Sequence, residues 1–174
     1  MKSFKSLLKG GDLRSIAGAG KLVNRVKKQQ QFDALMEILQ SNDRLQIMRS
    51  ADTIEKISVH HPEYLAKHKK RLLGLMNTAV NKELKWHLAL IISRLPLNKE
   101  EVAKVWTRLW VWVTDKGESR IVRVNALQAL TELLKQTGQF EQMQKLLDRL
   151  AKENIPSLSA RIRKVEKILT AQLA

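Results

Sequence analysis

Residues Val102-Ala103-Lys104-Val105-Trp106-Thr107-Arg108-Leu109-Trp110-Val111-Trp112-Val113 carry apolar side chains at 102, 105, 106, 109, 110 and 113. Steps of three and four put these on one face of an α-helix, whereas a strand would alternate in twos. Leu109 is also the third member of a series, Leu35, Leu72, Leu109 and Leu146, that recurs every 37 residues. The same step relates Leu39, Met76, Val113 and Leu150, and again Met36, Leu73, Trp110 and Leu147. Between these runs lies a second set, which recurs every 38 residues: Ile54, Ile92, Leu130, Ile168; Met48, Trp86, Val124, Ile162; Ala51, Ala89, Leu127, Val165.

The two registers predict four helix pairs. The first helices (A) fall over 31–41, 63–80, 99–115 and 140–153, the second (B) over 43–60, 82–95, 118–136 and 157–172. The mismatch of one residue per repeat lengthens the A-to-B turn along the chain, ending in Asn154-Ile155-Pro156-Ser157. One pair cannot cover its own apolar face, so stacked pairs share a core. The three prolines, Pro62, Pro96 and Pro156, all fall at expected helix ends, where a missing amide donor does least harm.

A chain of 174 residues is long enough for one domain with a substantial core. The absence of cysteine rules out disulfides, thiolate nucleophiles and cysteine zinc sites. No apolar run approaches the roughly 18 residues of a membrane span, and Met1–Gln31 has no signal-peptide apolar core. The expectation is a cytoplasmic monomer: a flexible basic arm over 1–11, then a single domain over 12–174. Residues 9–28 are expected to add a capping helix with Leu13, Ile16, Leu22, Val23 and Val26 inward, weakened by Gly18 and Gly20.

The B-helix stretch Arg123-Val124-Asn125-Ala126-Leu127-Gln128-Ala129-Leu130, a basic residue followed by small apolar residues and leucine, resembles a HEAT repeat. Lys85, Arg123 and Arg161 hold the basic position at 38-residue steps, and Ile47 departs from it in the first pair. Lys85-Trp86-His87-Leu88-Ala89 and Ala160-Arg161-Ile162-Arg163-Lys164 also resemble segments of short bacterial HEAT-repeat proteins without an assigned activity. Over about 31–172 the resemblance implies an all-α, right-handed α-solenoid whose B helices line the concave face. It also implies that the Lys85–Arg123–Arg161 ladder braces neighbouring repeats. On function it is nearly silent.

Charge is the functional lead. The chain carries +15, with pI near 10.3. Residues 1–30 hold eight Lys/Arg against one Asp, and the B helices are also net positive. Such a surface attracts phosphates and releases their counterions without reading bases. The candidate contacts are Lys21, Arg25, Lys27 and Lys28 in the N-terminal region and Arg49, Lys56, His87, Arg94 and Arg163 on the B helices. The groove columns are mixed, since Asp52, Leu90, Gln128 and Glu166 form a neighbouring one. The dense run Lys67-His68-Lys69-Lys70-Arg71 reads as a solvated convex face, with accessory phosphate contact as its functional alternative.

Other candidate chemistry is thin. Trp86, Trp106 and Trp110 share columns with core residues and are expected to pack inside. Trp112 aligns with Ile38, Leu75 and Arg149, which makes it the best of the four for an exposed platform, although a packing role is still preferred. Val111 is expected outside. His60 and His61 are adjacent and lack metal-ligand spacing. Gly18-Ala19-Gly20-Lys21 lacks the phosphate-loop spacing. No nucleophile–base arrangement, cofactor or small-molecule site is expected. The leading reading is a non-catalytic repeat protein that binds nucleic acid or another polyanion. The alternatives are a protein-interaction scaffold with an acidic partner, and a base-excision enzyme like the HEAT-like alkylpurine glycosylases, with Asp52 and Glu166 as its groove carboxylates.

Overall fold

The computed structural model of the chain describes residues 4–8 and 19–173. Among the described residues the chain is helical without strands, and it divides into two compact units, Met1–Pro96 and Leu97–Ala174.

The first unit begins with α1 (Phe4–Leu7), a single turn, and α2 (Ala19–Val23). The expected capping helix over 9–28 is thus represented by a short helix in which Leu22 is buried, with Val26 buried just beyond it. Leu13, Ile16 and the Gly10-Gly11 pair lie outside the described residues, as does part of the expected arm. Its described part ends in Leu8, which is fully buried. Next come α3 (Gln29–Ile38) and α4 (Arg44–His60), with Asp43 capping α4 by accepting from the amides of Leu45 and Gln46. The second A helix is not a continuous 63–80 element. Pro62 opens a 3-10 helix, Pro62–His68, which passes into α5 (Lys69–Thr78), followed by α6 (Lys82–Ser93). Helix α4 packs against α2, α3 and α6, and α5 against α6.

The second unit holds α7 (Lys99–Thr114), α8 (Arg120–Thr137), α9 (Phe140–Ala151) and α10 (Pro156–Leu173). Each boundary has a local cause. Asn98 and Glu101 form a reciprocal capping box at the start of α7. Ser119 caps α8, and Gly138 ends it in the left-handed region at φ 65°. Pro156 sits at the first position of α10, where its missing amide costs nothing. Helix α8 packs on both α7 and α10, and α9 on α10.

The apolar columns read from the sequence are mostly buried, although Trp86, Val124 and Ile168 are half-buried. Leu35, Leu72, Leu109 and Leu146 are all buried, as are Ala51, Ala89, Leu127 and Val165. In the column Met36, Leu73, Trp110, Leu147 the second and third members are only half-buried. Burying one such leucine contributes on the order of 2 kcal/mol, so within each unit the helices hold together mainly through these positions.

Polar ties secure the same packing. Arg123 is 2% exposed; its Nε donates to the Val113 carbonyl at 2.9 Å and its Nη2 to Glu153 Oε1 at 2.8 Å. It therefore joins the end of α7 to the turn between α9 and α10. Arg161 donates to the Gln128 side chain, tying α10 to α8. In the first unit Arg44 pairs with Glu83 at 2.7 Å, and Arg94 reaches both the Glu55 carboxylate and the Ser58 hydroxyl, so α4 and α6 are stitched at both ends. Removing one partner of a buried ion pair costs far more than an exposed one. Arg123→Ala is expected to lower the unfolding free energy by about 2–4 kcal/mol. Arg123→Lys should recover only part, because an ammonium cannot span both acceptors. Urea denaturation of the purified variants measures both.

Candidate nucleic-acid interface

The side chains expected to meet phosphates fall into three groups. Lys21, Arg25, Lys27 and Lys28 are exposed and make no ion pair among the described residues. The backbone beneath the last two is fixed: Gln31 Oε1 accepts from the amides of Lys27 at 2.8 Å and Lys28 at 3.2 Å. Arg163 is exposed on α10, and Lys164 and Lys167 share its solvent face. With helical spacing of one, three and four residues, these three cations project from one side while Ile162, Val165 and Leu169 face the core.

Lys56 and Arg94 are engaged with acids. Lys56 Nζ holds Asp52 Oδ2 at 2.7 Å, and Arg94 is committed to Glu55. Asp52, a carboxylate of the glycosylase alternative, is therefore already neutralised.

Arg49 and His87 correct the sequence reading. The Arg49 guanidinium is fully buried, donating to the Leu8 carbonyl at 2.6 Å. His87 is also buried. The expected column Arg49, His87, Asn125, Arg163 thus does not face solvent in the first unit. The two side chains point inward because α4 packs against α6 on one side and the N-terminal segment lies on Arg49. Enclosed groups like these cannot reach a phosphate without the packing opening.

In the run Lys67–Arg71, Lys67 and Lys70 are exposed, as the solvated-face reading expects, while Lys67, His68, Lys69 and Arg71 also act as braces. Asp33 on α3 receives Lys67 at Oδ2 and His68 at Oδ1, both at 2.6 Å, and Gln29 Nε2 at 2.8 Å. Burial pushes the Asp33 carboxyl upward, but the Lys67, Gln29 and His68 hydrogen bonds outweigh it and hold the pKa at about 2. Arg71 pairs with Glu37 at 2.7 Å, and Lys69 donates to the Pro96 carbonyl at 3.1 Å. His68 itself is buried.

This clamp positions a feature that the sequence reading missed. Tyr64, the chain's single tyrosine, lies on the 3-10 helix. Its hydroxyl donates to the Lys27 carbonyl at 3.2 Å, and its own carbonyl accepts from Gln29 Nε2 at 3.1 Å. One face of its ring stacks on His61, with centroids 5.0 Å apart and planes at 11°. Phe32 lies 5.6 Å from the same ring at 54°. A ladder of rings thus runs from buried Phe32 through Tyr64 to the exposed imidazole of His61. The imidazole is oriented by its Nδ1 contact with Glu63 at 3.0 Å. The available signal was an aromatic three residues after a histidine pair, next to a basic segment distant in sequence. The missing link was the pairing of α3 with the 3-10 helix.

The tryptophans also sort differently from expectation. Trp106 and Trp112 are buried, Trp112 with the Arg108 guanidinium 6.0 Å from its ring centroid, while Trp86 and Trp110 are half-buried. Trp112 is therefore no platform. Val111 is 47% exposed, in line with its polar column. Among the described residues no group of His, Asp or Glu is arranged to hold a metal, and no helix is long and apolar enough to cross a membrane.

The chain matches no protein-family model, and no match is found among curated proteins or solved structures.

Burial gives His87 a measurable consequence. Desolvation lowers its pKa to about 4; the Asp52 carboxylate opposes the shift and Lys56 adds to it. The folded chain keeps this imidazole neutral where an unfolded chain would protonate it. Its stabilising contribution is complete above the ordinary value of 6.5 and is lost as pH falls from there toward 4. Over that window the loss should amount to about 2–3 kcal/mol. Denaturation midpoints measured from pH 7.5 down to 4.5 should fall, and His87→Leu should flatten the slope.

Proposed function

We propose that this chain is a non-catalytic helical-repeat protein of the HEAT type that binds nucleic acid, or a polyanion like it, through exposed cations of its N-terminal segment and of α10. The apolar columns, the pairing of helices within each unit and the brace at Arg123 support the repeat reading. One observation carries the binding reading: acids and cations are unequally committed. Asp33, Glu37, Asp52, Glu55, Glu83 and Glu153 are all consumed in ties between or along helices. Lys21, Arg25, Lys27, Lys28, Arg163, Lys164 and Lys167 are exposed and make no such pair among the described residues. The excess positive charge therefore lies outside, where a phosphate backbone can use it.

A binding mode built on phosphate contacts depends steeply on salt. Fluorescence anisotropy with a labelled nucleic acid should show binding at about 50 mM salt that weakens as the logarithm of salt rises, with a slope of about −0.9 per duplex phosphate neutralised. Exchanging both Lys27 and Lys28 for alanine should reduce the slope by about two and weaken all sequences alike. Absence of binding at low salt would rule the reading out. A protein partner that survives nuclease treatment in stoichiometric amounts would favour the scaffold reading instead.

A further inference from the structure

We infer that the outer face of the His61 imidazole is a stacking site for one unpaired base, so that the first unit distinguishes single-stranded nucleic acid from a bare polyanion. The inference rests on the polyanion reading above and adds what the cations alone cannot provide.

Three observations carry it. The first is the ring ladder. Tyr64 covers one face of His61 at 5.0 Å and 11°, yet the His61 side chain is still 47% exposed. A planar ring covered on one side and half-exposed offers its second face to solvent. The second is rigidity. Tyr64 is anchored at its hydroxyl by the Lys27 carbonyl and at its backbone by Gln29, and it is backed by Phe32. Glu63 fixes the rotation of the imidazole. A platform held in place loses little freedom when a base settles on it. The third is the charge beside it. The Tyr64 hydroxyl touches the backbone of Lys27, so Arg25, Lys27 and Lys28, exposed and without an ion pair among the described residues, belong to the segment bordering the stack. Of the acids in this neighbourhood, Asp33 is taken up by Lys67 and His68, and Glu63 is hydrogen-bonded to His61.

Aromatic faces next to cations that follow a backbone are how sequence-tolerant single-strand binders work. Every base has a π-face, so stacking adds affinity without selecting sequence. A duplex keeps its bases stacked on each other and offers the imidazole only phosphates and sugars.

The test uses the full chain and four fluorescein-labelled probes of about ten nucleotides: a DNA strand, an RNA strand of the same sequence, the same DNA strand with abasic sites, and a duplex. Wild-type protein should bind the DNA and RNA strands about tenfold more tightly than the abasic strand. His61→Ala should erase that gap while leaving abasic and duplex binding unchanged, and His61→Phe should preserve it. The salt slope should be the same for wild type and His61→Ala, since stacking releases no counterions. Because His61 lies on the surface, the helical circular dichroism of both variants should match wild type. Equal binding of base-bearing and abasic strands by wild type, with the duplex also bound, would overturn this inference and leave the polyanion reading standing. So would a His61→Ala variant that keeps the gap or weakens every probe equally. Failure of wild type to bind any probe would overturn both.

Discussion

One carboxylate, Asp33, organises the surface of the first unit. It faces the densest cationic run in the chain and takes up Lys67 and His68 on separate oxygens while Gln29 steadies it from its own helix. Two cationic or polar partners on one partly shielded carboxylate gain more than two isolated surface pairs, because the charge is shared in a less hydrated place. The 3-10 helix is thereby held against α3. Its tyrosine then meets the Lys27 backbone, and the histidine pair at the end of α4 turns outward. Without that carboxylate, Lys67 and His68 would lose their shared acceptor, and the aromatic ladder would be held only by the Tyr64 ties to Lys27 and Gln29.

The all-helical character and many buried positions were legible because burial along a helix is set by spacing. Leu35, Leu72, Leu109 and Leu146 revealed themselves by recurrence alone, and each is buried. A helix end was legible where chemistry marks it, as at Pro156. The second A helix was read as continuous because Pro62 marks where a helix starts and does not specify the winding that follows. Individual polar positions were less legible for the same reason. Arg49 and Arg163 occupy one column, yet Arg49 is enclosed and Arg163 is exposed. A column specifies the direction of a side chain; what lies in that direction depends on neighbours such as Leu8, 41 residues away in sequence. The single tyrosine had no column at all, so periodicity could not identify it.

The distribution of charge follows from what each sign is used for. Carboxylates cap helices, as Asp43 and Glu101 do, or cross between helices, as Glu55, Glu83 and Glu153 do. Such positions are few, and a chain with 17 acids against 32 Lys and Arg fills many of them. Exposed pairs such as Lys104 with Glu100 and Lys145 with Glu141 neutralise further cations at little gain in stability. The remaining lysines and arginines have long apolar stems that rest on the helix surface while their charged ends stay in water. A strongly basic protein can therefore be braced internally while its excess charge stays at the surface.

The contact between Arg49 and the Leu8 carbonyl bears on how this protein can change over evolutionary time. The guanidinium recognises a main-chain oxygen, a group every residue possesses. Position 8 needs only an apolar side chain to fill its enclosed site, and the anchoring hydrogen bond persists through substitution there. Arg49, fully enclosed with its charge committed, has no such freedom. Substitution at position 8 is thus buffered by the main chain, whereas substitution at position 49 is not.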